Sequence, residues 1–220
     1  MFTLLSCIQS EDGLNSNCFN WPEEAFTPTN SATLTVALKE GEPAVDFTLR
    51  DPNGEGYTLS SLLATKPVLL VFGAFTWPPY RRSVPALNQL ATKLFDATET
   101  YDERVHFIHL YVVEPHPENP DPSPYTGNVW EMDYSTKGQS FTYDERVAAA
   151  QDMLPLVEGN QLLLVDDLVP GVRNNPVWCT YGTCPNCAYL IGQDGLIDTT
   201  QTWFDADNME AAIKNLLGGN

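Results

Sequence analysis

Basic residues are scarce in this chain. Its 220 residues include 11 Lys plus Arg against 29 Asp plus Glu, a formal net charge of -18. Nucleic-acid binding needs clustered cations on phosphates, so a nucleic-acid partner is excluded. The same deficit disfavours anionic membrane surfaces. Long hydrophobic runs are missing too. None approaches the roughly 18 apolar residues of a membrane span, so no span is expected. No internal repeat is visible, and nothing in the sequence asks for a cofactor. Histidine occurs at only three positions. His106 and His109 fall in one apolar run and are expected to be satisfied structural histidines; His116 follows it. The N-terminus lacks the basic region of a secretory signal, although Leu4-Leu5-Ser6 before Cys7 resembles the end of a lipoprotein signal.

What is present suits one domain. The hydrophobic fraction of 43% is enough for a sizeable core. Residues 1–38 read as an N-terminal extension, and 39–220 as the domain. Within the extension, Ser31-Ala-Thr-Leu-Thr-Val-Ala-Leu38 alternates like a strand that can pair with its own sheet or a neighbour's. An acidic chain with few lysines suits high salt or the outside of the cell, and an extracytoplasmic location is expected. Five cysteines are an odd count. In an oxidising compartment they permit two bridges and a spare thiol, Cys7–Cys18 being one candidate pair.

The stretch Val68-Leu-Leu-Val-Phe72 is a continuous apolar run, the pattern of a strand buried on both faces. A short loop follows, then Pro78 and Pro79, which suit the first turn of a helix. Val84, Leu87, Leu90, Ala91 and Leu94 recur at helical spacing. Strand, tight loop and proline-started helix describe the active corner of the thioredoxin fold. An α/β fold is expected, with a central mixed sheet flanked by helices. Val105–Val113 and Leu162–Asp167 read as further strands. Thr142 and Glu145 form a capping box for a helix over 143–153. Asp194-Gly195 marks a hairpin, and Asp205 or Asp207 caps a closing helix that stops at Gly218. Residues 117–142 read as a long surface loop, of the kind that is functional or mobile.

Several motifs carry a resemblance. Phe72-Gly-Ala-Phe-Thr-Trp-Pro-Pro-Tyr80, Tyr111-Val-Val-Glu-Pro-His-Pro117, Glu145-Arg146 and Tyr181-Gly-Thr-Cys-Pro-Asn-Cys-Ala-Tyr-Leu-Ile191 occur in order. Together they resemble the iodothyronine deiodinase family, in the peroxiredoxin-like branch of the thioredoxin fold, over about four fifths of the chain. The resemblance implies a selenocysteine or cysteine nucleophile between Thr76 and Pro78, where this chain has Trp77. Indole is neither nucleophilic nor ionisable near neutral pH. Trp77 therefore reads as an aromatic platform or a packed loop residue. UGA encodes selenocysteine in some genes and tryptophan in some codes, so a recoded codon is a further reading. The family's second helical cysteine is also absent, with alanines in its place. Glu114 and His116 match the family's strand-end pair, and Pro185 falls at its cis-proline position.

Cys184-Pro-Asn-Cys187, with Cys179 nearby, is the other chemical feature. The resemblance places Cys184 opposite the loop holding Trp77. The pattern favours a disulfide over a zinc site of Cys179, Cys184, Cys187 and His116, and zinc over an iron–sulfur cluster. The preferred function is a non-catalytic structural, assembly or binding protein. It would self-associate or take a protein partner through strand 31–38 and loop 117–142. The alternative is an oxidoreductase, with selenocysteine at position 77 or with Cys184 and Cys187 as the dithiol. A third reading is a small-ligand pocket around Trp77, Glu114, His116 and Pro185.

Overall fold

A computed structural model describes residues 13–14, 32, 34–129, 133–169 and 173–218. The expectations that rest on Cys7 and Cys18 lie outside these residues. The apolar run forms β3 (Val68–Gly73), buried along its whole length. It is an interior strand of a seven-stranded sheet. On one side it pairs in parallel with β4 (His106–Tyr111), which pairs in parallel with β5 (Leu162–Val165). On the other it pairs antiparallel with β8 (Ala188–Ile191), and β8 with β9 (Ile197–Gln201). β1 (Thr48–Arg50) and β2 (Gly56–Thr58) extend the β5 edge, giving the order β2-β1-β5-β4-β3-β8-β9. The mixed α/β sheet flanked by helices is the thioredoxin-like fold expected. A second, two-stranded ribbon pairs β6 (Leu168–Val169) with β7 (Arg173–Asn174).

Alternation along β3 divides the core. Val68, Leu70 and Phe72 point into one cluster, shared with α1 (Leu59–Leu63) and α5 (Pro176–Tyr181). Leu69 and Val71 point into the other, under α2 (Pro78–Thr92) and α6 (Ala206–Leu216). Short α3 (Tyr101–Arg104) precedes β4. α4 (Tyr143–Gln151) begins with the predicted box: Thr142 Oγ1 accepts from Glu145 N–H at 3.2 Å, and Glu145 Oε2 accepts from Thr142 N–H at 3.1 Å. Asp205 caps α6, accepting from Asn208 N–H at 2.9 Å, and Gly218 follows with φ +71°. Gly195 turns between β8 and β9 with φ +79°, the left-handed geometry that favours glycine.

Among the described residues of 31–38, the expected strand does not form. Its described residues 34–38 lie along the chain's own α5–β8 turn instead. Ala37 N–H donates to the Tyr181 carbonyl at 2.8 Å. A Cβ on Gly182 would stand 2.3 Å from the Thr35 carbonyl oxygen, so this close approach needs glycine. The expected cis bond at Pro185 is also corrected: the cis peptide among the described residues is Asn119–Pro120. No helix among the described residues is long and apolar enough to cross a membrane.

Candidate functional site at the β3–α2 corner and the Cys184–Cys187 bridge

The corner is built on Gly73. A Cβ there would fall 2.3 Å from the Tyr80 ring, so glycine lets the first turn of α2 close onto the strand end. Residues 74–77 make the loop, and Trp77 is the N-cap of α2, with prolines at the next two positions. Thr76 is fully buried. Its N–H and Oγ1–H both donate to Glu114 Oε2, at 2.9 and 2.7 Å. The Tyr111 hydroxyl donates to Glu114 Oε1. The same hydroxyl accepts from Phe75 N–H at 3.3 Å, and Thr76 Oγ1 accepts from His116 N–H at 3.1 Å. From the 117–142 loop, Gln139 Oε1 accepts from Glu114 N–H at 3.0 Å. One buried carboxylate thus ties the corner loop to the end of β4, while its backbone is held by Gln139. Burial raises the Glu114 pKa, opposed by its hydrogen bonds from Tyr111 and Thr76. With both oxygens hydrogen-bonded, Glu114 holds the loop against the end of β4.

The Trp77 side chain lies in a stack of rings. Its centroid lies 5.1 Å from His116 and 5.9 Å from Trp203, each at 24°. Its Nε1 is buried without a hydrogen-bond partner. Burial lowers the His116 pKa, which favours the neutral imidazole. The corner carries no thiol, and it presents aromatic surface. His109 is buried as expected. Its Nε2 lies 3.0 Å from Gln161 Oε1 and its Nδ1 2.8 Å from the Tyr80 hydroxyl. Gln161 offers its oxygen there, so His109 donates from Nε2 and accepts at Nδ1. Burial lowers its pKa to about 4. His106 points the other way and reaches Thr65 Oγ1 at 2.7 Å.

Cys184 and Cys187 are joined by a disulfide. They do not face the Trp77 loop, which corrects the expectation. Both are fully buried in the cluster with Phe72, Tyr181 and Tyr189, on the opposite face of the sheet from Trp77. The reason is register. β8 pairs Ala188 with Val71, and Phe72 N–H donates to the Cys187 carbonyl at 2.9 Å, so Cys187 shares the face of Phe72. Asn186, between the cysteines, does face α2: its Nδ2 lies 3.5 Å from Ser83 Oγ. The turn before the bridge is covered from outside. The Tyr125 hydroxyl donates to the Thr183 carbonyl at 2.9 Å, and residues 35–37 pass over Gly182.

α5 leads into this turn and is anchored by Asp166. Its carboxylate accepts from Val177 N–H at 3.2 Å and Trp178 N–H at 2.9 Å, while burial pushes its pKa up to about 6. Buried Arg146 donates to the Asp166 carbonyl at 3.1 Å. Cys179 is also disulfide-bonded. A disulfide sulfur is not a thiolate ligand, so Cys179, Cys184, Cys187 and His116 do not make the zinc or cluster site considered above. No group of three or more His, Cys, Asp or Glu fit to hold a metal occurs among the described residues.

The corner brings the expected Trp77, Glu114 and His116 together with Tyr111, Gln139 and Trp203, which the sequence reading did not group with them. Tyr111 sits three residues before Glu114, a spacing that could have flagged it. Gln139 and Trp203 arrive through tertiary folding.

No protein-family model and no curated protein matches this chain. Solved structures with the thioredoxin fold do. A Chlorobium tepidum protein provisionally described as thiol:disulfide interchange protein DsbE shares 19% identity, with 83% of this chain and 100% of that one covered and a TM-score of 0.54. A Bacteroides thetaiotaomicron protein provisionally described as a disulfide isomerase gives 19%, 84%, 94% and 0.54 in the same order. The yeast mitochondrial 1-Cys peroxiredoxin gives 14%, 82%, 77% and 0.50. At these identities the likeness establishes the fold.

Proposed function

We propose that this chain is an extracytoplasmic thiol–disulfide oxidoreductase whose working pair is Cys184 and Cys187. The observation that carries it is the closed disulfide across Cys184-Pro-Asn-Cys187, in a fold whose usual corner holds Trp77. The thiolate of a dithiol reductant attacks one bridge sulfur. A mixed disulfide forms, and the other cysteine leaves as a thiolate. The reductant's second thiol then attacks the mixed disulfide and releases the first cysteine. The protein gains two electrons and two protons, and the reductant ends as a disulfide. Because the bridge is buried, exchange follows local opening of the segments over Gly182 and Thr183. The thiol:disulfide roles named for two of the similar structures support this reading. Disulfides at Cys179 and at Cys184–Cys187 suit an oxidising compartment.

Its test is equilibration of the native protein in buffers of fixed dithiothreitol redox ratio, with alkylation at Cys184 and Cys187 counted by mass. Reversible two-electron reduction without unfolding is expected, together with disulfide-reductase activity that Cys184→Ser abolishes. A bridge that reduces only in denaturant sinks the reading.

A second reading rests on the Trp77 stack. In it the chain is a deiodinase-like protein without the nucleophile, and serves as a structural or binding subunit. The extension 1–38 and the 117–142 loop would supply its contact surfaces, to a partner or a second copy. Sedimentation at high concentration tests the self-associating form, and a monomer throughout would remove it.

A further inference from the structure

A cavity of about 570 Å³ opens beside α2, one helical turn beyond Trp77. Arg81, Val84, Pro85, Tyr134, Leu156 and Glu158 are among its lining residues. It is separate from the disulfide, and nothing in the redox reading uses it. Three features give it chemistry. The Arg81 guanidinium lies over the Phe75 ring at 4.3 Å and over the Tyr134 ring at 4.9 Å. Ring faces hold its plane and leave the N–H edge as the available side. Among the described residues that edge meets Met153 Sδ, a weak acceptor, at 3.6 Å. Among the described residues no carboxylate pairs with Arg81, in a chain with 29 Asp plus Glu.

Pro85 is the second feature. Its exposed ring, on the cavity lining, supplies apolar surface for a hydrocarbon chain. The third is exposed Glu158 on the same cavity, which repels a second negative charge.

We infer that this cavity binds a small aliphatic monocarboxylate. The guanidinium edge takes the carboxylate in a bidentate fork. The apolar body lies against Val84, Pro85, Tyr134 and Leu156. Glu158 selects against a dicarboxylate of the same length.

The test titrates the full chain by calorimetry with octanoate, octanedioate and octanamide. Saturable one-to-one binding of octanoate is expected. Octanedioate and octanamide should each bind at least about tenfold more weakly, and Arg81→Gln should cost octanoate about tenfold or more. Circular dichroism checks that the variant is folded. Glu158→Gln, on the exposed rim, should bring octanedioate to within about threefold of octanoate, and it decides the matter if Arg81→Gln does not fold. No saturable octanoate binding overturns the inference. So does equal binding of octanamide, unchanged affinity in folded Arg81→Gln, or unchanged selectivity in Glu158→Gln.

Discussion

Trp77 and His116 stack with ring centroids 5.1 Å apart at the N-terminus of α2. A hydrogen-bonded frame surrounds the pair: Thr76 donates to Glu114, Tyr111 donates to Glu114, and α2 starts on two prolines. The peptide spanning residue 77 should carry the mass of tryptophan in natively purified protein. Selenocysteine or cysteine at that mass would convert the corner into a redox centre with His116 beside it.

Trp77→Cys tests what the corner does to a thiol. Placed at the N-terminus of a 15-residue helix, the thiolate meets the positive end of the dipole. Its pKa should fall by at least one unit, making alkylation at pH 6 about tenfold faster than for free cysteine. An ordinary thiol pKa by pH-dependent alkylation would show that the helix end is not electropositive.

Glu114→Gln should destabilise the fold by about 1–3 kcal/mol. The carboxylate accepts from Thr76 N–H, Thr76 Oγ1 and the Tyr111 hydroxyl. An amide keeps one acceptor oxygen and turns an NH₂ toward donors. Urea midpoints measure the loss. Hydrogen exchange should quicken at Phe75 and Thr76, and unchanged exchange there would mean that the loop is held by other contacts.

Much of this architecture was legible locally. A continuous apolar run specifies β3, paired prolines fix where α2 begins, and Thr142 with Glu145 announces α4. The face on which Cys187 lies was not legible. It follows from the pairing of Ala188 with Val71, and a one-residue change of register reverses it. β9 was signalled only by the Asp194-Gly195 turn before it, because Asp198-Thr-Thr-Gln201 is a polar edge strand without alternating apolar residues. α5, six residues long, is too short to show a period. Trp203 joins the Trp77 stack from across 126 residues of sequence, a contact no local pattern encodes.

His109 makes stability fall in acid. Its folded pKa is about 4, against about 6.5 in an unfolded chain. Between these values the unfolded state holds more of the proton, so stability from this group is complete above pH 6.5 and is lost as pH falls toward 4. The slope approaches about 1.4 kcal/mol per pH unit. Asp166, raised to about 6, acts oppositely between about pH 4 and 6, since there the folded state holds more of its proton. His109→Gln keeps Asp166 and so isolates the histidine. The difference in unfolding free energy between the two proteins should shrink from pH 7 to pH 4.5. A constant difference would place a charged imidazole in the core.

Replacing Cys184 and Cys187 together by serine separates a redox pair from a structural staple. The bridge closes a loop with a sequence separation of only 3, so the chain entropy it removes is small. By the loop-closure relation it contributes about 2 kcal/mol, against nearly 5 for a loop of 100 residues. Burying two hydroxyls beside Phe72 and Tyr189 adds about 1–3 kcal/mol for each one left without a partner. The reduced wild-type dithiol escapes that second cost, because thiols bury well. Reduction alone should therefore lower stability by about 2 kcal/mol and leave the protein folded, while the double serine variant loses more. Urea melts of the oxidised, reduced and double serine forms give both differences. A reduced form that unfolds in buffer would make the bridge a staple, and Cys184 and Cys187 could not then cycle as a dithiol in the native protein.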